Sequence, residues 1–391
     1  MKNFLHQNLT KKKILLRLDL NVPIHNGKIL DDFRLQSTLP TIQALLEKKA
    51  IPILISHLGR PKGEPNPSYS LQPVAQKLQQ LLQTSTQPPP QVLFHPQTIG
   101  PTTQTQCKQL QPGQVLVLEN LRFHKEEEEN SPQFAKQLST LADIYVNDAF
   151  SVCHRQHASV CAITQFLPSF AGLLLEKELR YLQQLQQPTT PYVAILGGAK
   201  VKDKLPLIQH LLPKVDFLLL GGAMCYTFLH ALGQPTGNCP IQKEFLPQIQ
   251  PLLHSPKIHL PLDHITAPKL QAHTPTQIQT TIPKNEIAGD IGPQTRKKFK
   301  EILQKAKTIV WNGPLGAFEI PNFHHGTHEI ATFLANLPTH ILRIAGGGDV
   351  VAAIRNAKAY EKFSFVSTGG GAFLEMLSGK TLPGIQALHG E

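Results

Sequence analysis

Two glycine triplets near the end of the chain, Gly346-Gly347-Gly348 followed by Asp349 and Gly369-Gly370-Gly371 followed by Ala372, each stand after a short apolar run and before a helical pattern. Glycines at a strand-to-helix turn let backbone N–H groups approach an anion closely, and the free N–H groups of the first helical turn add a favourable dipole. Two such turns read as a polyphosphate site. A third turn, Leu196-Gly197-Gly198-Ala199-Lys200-Val201-Lys202-Asp203-Lys204, runs from a strand pattern through glycines into lysines. Lys200 and Lys204 are four residues apart, so a helix already begun at Lys200 would turn both toward one phosphate chain. The sequence has no Walker loop of the form Gly-x-x-x-x-Gly-Lys-[Ser/Thr]. Asp349 is placed to hold a magnesium ion whose other ligands are phosphate oxygens and water, because magnesium commonly takes only one or two carboxylates.

The first half contributes arginines. Arg34, Arg60, Arg122 and Arg155 stand in Asp31-Asp32-Phe33-Arg34, His57-Leu58-Gly59-Arg60, Glu119-Asn120-Leu121-Arg122 and His154-Arg155-Gln156-His157. A guanidinium fork matches phosphate and carboxylate oxygens in two-point contacts. Any one of these arginines would read as a surface salt bridge. Four at one sheet edge point to a small, highly anionic substrate. Asp19 and Asn21 end the first strand ahead of Pro23; alone the pair reads as a turn, and beside the arginines it is placed to hold a substrate hydroxyl. Phosphoryl transfer without a covalent intermediate needs this inventory of positive charge and rigid N–H donors more than it needs acids or bases.

These groups need a scaffold, and the pattern supplies one. Short apolar runs ending in polar residues, at 14–19, 51–56, 115–119 and 144–148, read as buried parallel strands, with helical spacing between them at 39–48, 71–82 and 133–141. The second half repeats the plan, with strands near 192–196, 215–220, 308–311, 340–345 and 363–367. Polar residues at the carboxyl ends of such strands face the ligand crevice. The expectation is an α/β protein of two Rossmann-like domains, each a parallel sheet flanked by helices, joined by a long amphipathic helix. Domain boundaries are expected at 1–170, with about 380–391 returning to the first domain, a connecting helix at 171–186, and a second domain at 187–379.

The chain has 391 residues, 41% of them hydrophobic, enough for two cores. Its formal net charge of +11 favours anionic partners. Lys11-Lys12-Lys13 lacks interleaved aromatics, so a nucleic-acid partner is not expected. Five scattered cysteines without a Cys-x-x-Cys pair fit a reducing compartment, and no apolar run approaches the length of a membrane span, so a cytoplasmic, soluble protein is expected. The polar segment 97–106 reads as structureless loop, and Glu126 to Glu129 as a solvated face.

Arg17-Leu18-Asp19-Leu20-Asn21-Val22-Pro23, His57-Leu58-Gly59-Arg60-Pro61, Leu118-Glu119-Asn120-Leu121-Arg122-Phe123, Leu196-Gly197-Gly198-Ala199-Lys200-Val201, Trp311-Asn312-Gly313-Pro314-Leu315-Gly316-Ala317-Phe318-Glu319 and Ser367-Thr368-Gly369-Gly370-Gly371-Ala372 together resemble the phosphoglycerate kinase family, in the family's order. The resemblance implies a bilobed, hinge-bending, monomeric enzyme. Its first domain would bind 3-phosphoglycerate or 1,3-bisphosphoglycerate, and its second would bind ADP or ATP with magnesium. By family motif, Asp19, Asn21, Arg34, His57, Arg60, Arg122 and Arg155 contact the glycerate. Lys200, Lys204 and Gly346 to Val350 hold the phosphate and metal end, Glu319 the ribose, and Gly197, Gly221 and Pro314 the purine. Arg34 and Lys200, with the N–H groups of Gly370 and Gly371, are the expected stabilisers of the transferring phosphoryl group.

Two positions depart from the family pattern. Val350 stands where the family usually has Ser or Thr, and Ser151 where it has glycine, which leaves the local turn open because serine tolerates positive φ poorly. Two other function classes are weighed. An NAD-dependent dehydrogenase would need Gly-x-Gly-x-x-Gly, which Gly346-Gly347-Gly348-Asp349 does not fit. A non-catalytic nucleotide- or RNA-binding protein on the same fold would not need the intact arginine and lysine set.

Overall fold

The computed structural model describes residues 4–390, and the chain divides into two compact units, Met1–Arg180 with Thr381–Glu391, and Tyr181–Lys380. The first unit is built on a six-stranded parallel sheet of β1 (Lys13–Arg17), β2 (Ile51–Ile55), β3 (Gln91–His95), β4 (Gln114–Leu118), β5 (Ile144–Asn147) and β6 (Ser169–Ala171). Their spatial order is β3-β4-β2-β1-β5-β6. Alternation along each strand divides the core into two layers. Ile14, Leu16, Leu54, Val115 and Val117 pack into one cluster, while Leu15, Ile53, Ile55, Leu116 and Leu118 pack into the other. The continuous apolar runs seen in sequence are therefore strands covered on both faces.

The second unit repeats the architecture with β7 (Tyr192–Leu196), β8 (Phe217–Leu220), β9 (Ile258–His259), β13 (Thr308–Asn312), β14 (Leu342–Gly346) and β15 (Phe365–Ser367), ordered β9-β8-β7-β13-β14-β15 and parallel throughout. Between β9 and β13 the chain inserts a small antiparallel sheet of β10 (His264–Ala267), β11 (Gln277–Gln279) and β12 (Ile287–Ile291). The α/β class expected from the alternation is the class observed.

The helix Leu173–Gln184 carries the chain from one unit to the next. It starts two residues later than its amphipathic pattern suggests, because Ala171 is spent on β6. Its first turn is capped from a distance: Asp148 Oδ1 accepts from Leu174 N at 2.8 Å and from Leu175 N at 3.0 Å, supplying the acceptor that free helix N–H groups require. The helix Pro383–His389 returns to the first unit, where Gly384 N donates to Cys153 O at 2.8 Å.

Two expectations fail. The segment expected to be structureless contains a helix, Pro101–Gln109. Its composition is polar, yet Pro101 sits at the first helical position, where its fixed φ costs nothing, and Thr103 and Cys107, one turn apart, are buried together. The Glu126–Glu129 run is not wholly solvated either. It forms the short helix Lys125–Glu128, and Glu127 is fully buried.

Glu127 is answered by a polar network around Arg17, which is also fully buried. Glu127 Oε1 accepts from Ser159 Oγ at 2.6 Å and Oε2 from Ser159 N at 2.9 Å; Ser159 Oγ in turn accepts from Arg17 Nε at 3.0 Å. Tyr145 Oη donates to Ser159 O at 2.6 Å. Burial raises the Glu127 carboxyl above its ordinary value, and Arg17 and Ser159 oppose that rise. Breaking such a pair leaves an uncompensated buried charge, so Glu127→Ala should cost about 3 kcal/mol, whereas Glu129→Ala on the exposed side should stay within about 0.5 kcal/mol. Urea denaturation of both variants checks this, and equal midpoints would refute the contrast.

Candidate functional site

The carboxyl ends of β1, β2 and β4 in the first unit gather the expected side chains. Asp19, just past β1, pairs with Arg34, whose Nη1 lies 2.8 Å from Asp19 Oδ2 and 3.2 Å from Asn21 O. Asn21 Oδ1 accepts from Gly59 N at 2.9 Å, and Gly59 O accepts from Arg122 Nη1 at 2.7 Å. Asp19, Arg34, Asn21, the loop carrying Arg60, and Arg122 thus form one hydrogen-bonded chain. Arg60 itself is exposed and has no hydrogen-bond or ion-pair partner among the described residues. Arg155 is half-buried on the turn that follows Phe150–Val152, with Nε 3.3 Å from His154 Nε2.

Electrostatics sharpen the picture. The Arg122 side chain is 4% exposed; Nε stands 3.2 Å from Glu128 Oε1, while Nη2 is buried with no hydrogen-bond partner among the described residues. Burial brings this guanidinium down to about 10, leaving it charged at neutral pH. His57 is buried, and desolvation together with Arg17, Arg122, Arg155 and Arg34 holds its imidazole well below the ordinary value. Its Nδ1 lies 3.2 Å from Arg17 Nη2, as a neutral ring allows. The imidazole is thus neutral and bonded within the protein.

In the second unit the strand-end turns line two adjoining cavities. The first, of about 580 Å³, is lined by Lys200, Lys204, Asn312, Gly347, Gly348 and Asp349, with Lys202, Asp203, Glu375 and Lys380 around it. The second, of about 460 Å³, is lined by Tyr226, Leu270, Ala288, Ala317, Phe318 and Glu319. Gly198, Ala199, Pro314 and Asp349 line both. One cavity is basic, and the other is lined by the apolar Leu270, Ala288, Ala317 and Phe318 with two carboxylates, Glu319 and Asp349, at its wall.

The expected residues fall unevenly around these cavities. Gly197 and Gly221 directly follow strands, Gly346 ends one, and all three are buried, while the next residues, Gly198, Gly222 and Gly347, line the cavities. Gly347 caps the helix Gly348–Asn356 with φ +107°, a conformation that favours glycine. The helix after the third turn, Val201–Leu211, begins one residue past Lys200, which is its extended N-cap, so Lys200 and Lys204 do not share a helix face. Gly370 caps the helix Gly371–Leu377 with φ +50°; Leu374 and Glu375 of that helix reach the first cavity, and Gly370 and Gly371 do not line it. Val350 is fully buried and packs in the core of this unit. Ser151, whose turn the sequence left open, lies in the 3-10 turn Phe150–Val152 and is not among the residues with positive φ.

Sequence reading gave no site role to three residues that the structure brings into these networks. Asn312 at the end of β13 accepts from Lys204 Nζ through Oδ1 and donates to Gly346 O through Nδ2 at 2.6 Å. A polar residue closing an apolar strand was its only signal. Ser151 donates to Asp19 Oδ2 at 2.5 Å. Arg17, between Leu16 and Leu18, was hidden by the apolar strand around it.

Parallel α/β units with a cation-lined crevice in one and a nucleotide-sized pair of cavities in the other define a phosphotransferase of the α/β class. The sequence profile of the phosphoglycerate kinase family matches residues 4–380. A protein of Koribacter versatilis named phosphoglycerate kinase is 49% identical over 391 residues, with 97% of each chain covered, and one of Acidobacterium capsulatum with the same name is 47% identical over 97% of each. Among solved structures, phosphoglycerate kinase from Coxiella burnetii superposes with a TM-score of 0.85 at 37% identity, covering 99% of this chain and 98% of that one. The corresponding enzyme from Pyrococcus horikoshii gives 0.86 at 30% identity, covering 100% and 98%. The chain belongs to the phosphoglycerate kinase family.

Burial lowers Lys204 to about 8, against opposing effects of Asp203 and Asp349. The folded protein holds this proton less tightly than the unfolded chain does, so the site opposes folding below about pH 8 and the opposition fades toward the ordinary value of 10.5. Carbon-13 reductive methylation followed by NMR titration should find one lysine titrating near 8 that is missing from Lys204→Met. A Lys204 signal titrating at the ordinary lysine value would refute the assignment.

Proposed function

We propose that the protein catalyses reversible phosphoryl transfer from 1,3-bisphosphoglycerate to ADP, giving 3-phosphoglycerate and ATP in glycolysis, as a cytoplasmic, magnesium-dependent monomer. The observation that carries this reading is the buried guanidinium of Arg122, with an unpaired Nη2, inside a cluster that also holds Asp19, Asn21, Arg34 and His57, in a chain that matches the family over residues 4–380. Desolvated donors without partners are costly unless an anion completes them. No helix among the described residues is long and apolar enough to cross a membrane.

The glycerate's phosphate and carboxylate are assigned to Arg34, Arg60, Arg122 and Arg155, and its hydroxyl to Asp19 and Asn21. The basic cavity takes the nucleotide's phosphates on Lys204 and on Gly346 to Val350, and the apolar cavity takes the nucleoside, with Glu319 toward the ribose and Gly197, Gly221 and Pro314 toward the purine. Lys200 and Arg34, helped by Gly370 and Gly371, neutralise charge on the transferring group. An acceptor carboxylate carries no proton at neutral pH, so direct in-line transfer needs neither a general base nor a phospho-enzyme. That agrees with a neutral His57 already engaged with Arg17.

The donor set fits magnesium. No group of three or more His, Cys, Asp or Glu residues among the described residues could hold a metal alone, but the exposed Asp349 carboxylate opens on the basic cavity, which suits an ion bound mainly by phosphates and water. Bound there, magnesium would offset the negative charge of the β- and γ-phosphates.

The test is a coupled assay with 3-phosphoglycerate, Mg-ATP, NADH and glyceraldehyde-3-phosphate dehydrogenase. The wild type should consume NADH rapidly, and Arg34→Ala and Lys200→Ala should each lose about 10²-fold or more in kcat, the scale for removing a group that stabilises transition-state charge. A folded wild type without turnover would sink the reading.

A further inference from the structure

Ser151 belongs to no part of the assignment above, yet its hydroxyl makes one of the shortest contacts in the arginine-lined crevice. Asp19 Oδ2 accepts two hydrogen bonds, from Arg34 Nη1 at 2.8 Å and from Ser151 Oγ at 2.5 Å, while Oδ1 accepts only a longer one, from Asn21 N at 3.2 Å. Ser151 reaches Asp19 across a sequence separation of 132 residues, from the 3-10 turn Phe150–Val152. The same turn leads into Arg155, whose N donates to Val152 O at 3.0 Å.

The two donors on Oδ2 are unlike. The Arg34 side chain is 37% exposed, whereas that of Asp19 is 10% exposed. An incoming anion competes with Asp19 for the Arg34 fork, because one guanidinium divides its donors between the two carboxylate or phosphate partners. The serine hydroxyl is neutral and has no such call on it. It can therefore keep Asp19 in one orientation while Arg34 turns to the substrate. A short O–H···O⁻ bond is among the stronger hydrogen bonds available to a carboxylate.

We infer that Ser151 is a positioning residue that fixes Asp19 for the acceptor's hydroxyl and thereby sets discrimination between a hydroxylated phospho-carboxylate and its deoxy counterpart. This rests on the assignment of Asp19 to the glycerate hydroxyl. A site built to bond a hydroxyl rejects the analogue that lacks it because its own polar group is left unpaired; a carboxylate free to swing away loses that penalty.

The experiment compares 3-phosphoglycerate with 3-phosphonooxypropanoate, which lacks the C2 hydroxyl, in wild type, Ser151→Ala and Ser151→Thr, by turnover and by calorimetric binding. Ser151→Ala should raise KM for 3-phosphoglycerate about tenfold, the worth of one hydrogen bond to a charged group. KM for the nucleotide should stay put, and the preference for the hydroxylated acid should fall by the same factor. Ser151→Thr keeps the hydroxyl and should restore both. Turnover by the wild type with an undiminished preference in Ser151→Ala overturns the inference and leaves the kinase reading standing. A wild type that binds but does not turn over 3-phosphoglycerate, with the preference still lost in Ser151→Ala, overturns the kinase reading and upholds the role of Ser151. Equal loss in Ser151→Thr and Ser151→Ala, or a wild type that binds neither acid, also overturns the inference.

Discussion

A guanidinium closed off from water must be met by a counter-charge and by acceptors for its N–H groups, or it costs several kcal/mol. Arg17 is met on every side. Glu127 answers its charge through Ser159, His57 Nδ1 takes up Nη2, and Ser56 and the carbonyl of Leu18 lie at Nη1. These partners come from the ends of β1 and β2, from the helix Lys125–Glu128 and from the segment that holds Ser159. One buried ion therefore joins segments that hydrophobic packing alone would leave free to slide. Burial first, and then the field of Arg17, Arg122, Arg155 and Arg34, keep His57 neutral beside it.

The second unit solves its electrostatic problem with backbone and one amide. Asn312 spans the gap between Lys204 and the carbonyl of Gly346, so a lysine from one strand-end turn is tied to the glycine turn of another. Such a bridge holds the lysine's position without neutralising it, as a carboxylate in the same place would. Asp203 and Asp349 act on Lys204 only through space. Val350, lacking a hydroxyl, contributes packing to the core of this unit at the wall of the first cavity.

The alternation of apolar runs with helical spacing revealed the α/β class and most strands within two residues, because parallel strands covered on both faces leave an unmistakable hydrophobic signature. Composition failed where one residue in a polar stretch turns inward. Thr103 and Cys107 anchor a helix that the glutamines around them conceal, and Glu127 is the one carboxylate in its run that is itself buried. At the candidate site, Asp19 stands just past β1, and Arg34 and Lys204 stand in the first turns of the helices Phe33–Glu47 and Val201–Leu211, positions that the local sequence could suggest. It could not suggest their partners. The Ser151–Asp19 and Lys204–Asn312 contacts join residues 132 and 108 positions apart, and nothing local in the sequence encodes a pairing set by the stacking order of strands.

The chain leaves the first unit at Arg180 and comes back to it only with Thr381, so the helix Pro383–His389 and the bond from Gly384 to Cys153 are supplied only after the whole second unit has been made. The second unit, Tyr181–Lys380, is contiguous and can close its core before that returning helix is made. Domains generally fold as units during synthesis, the earlier before the later; here the unit begun first is completed by a segment made after the second unit.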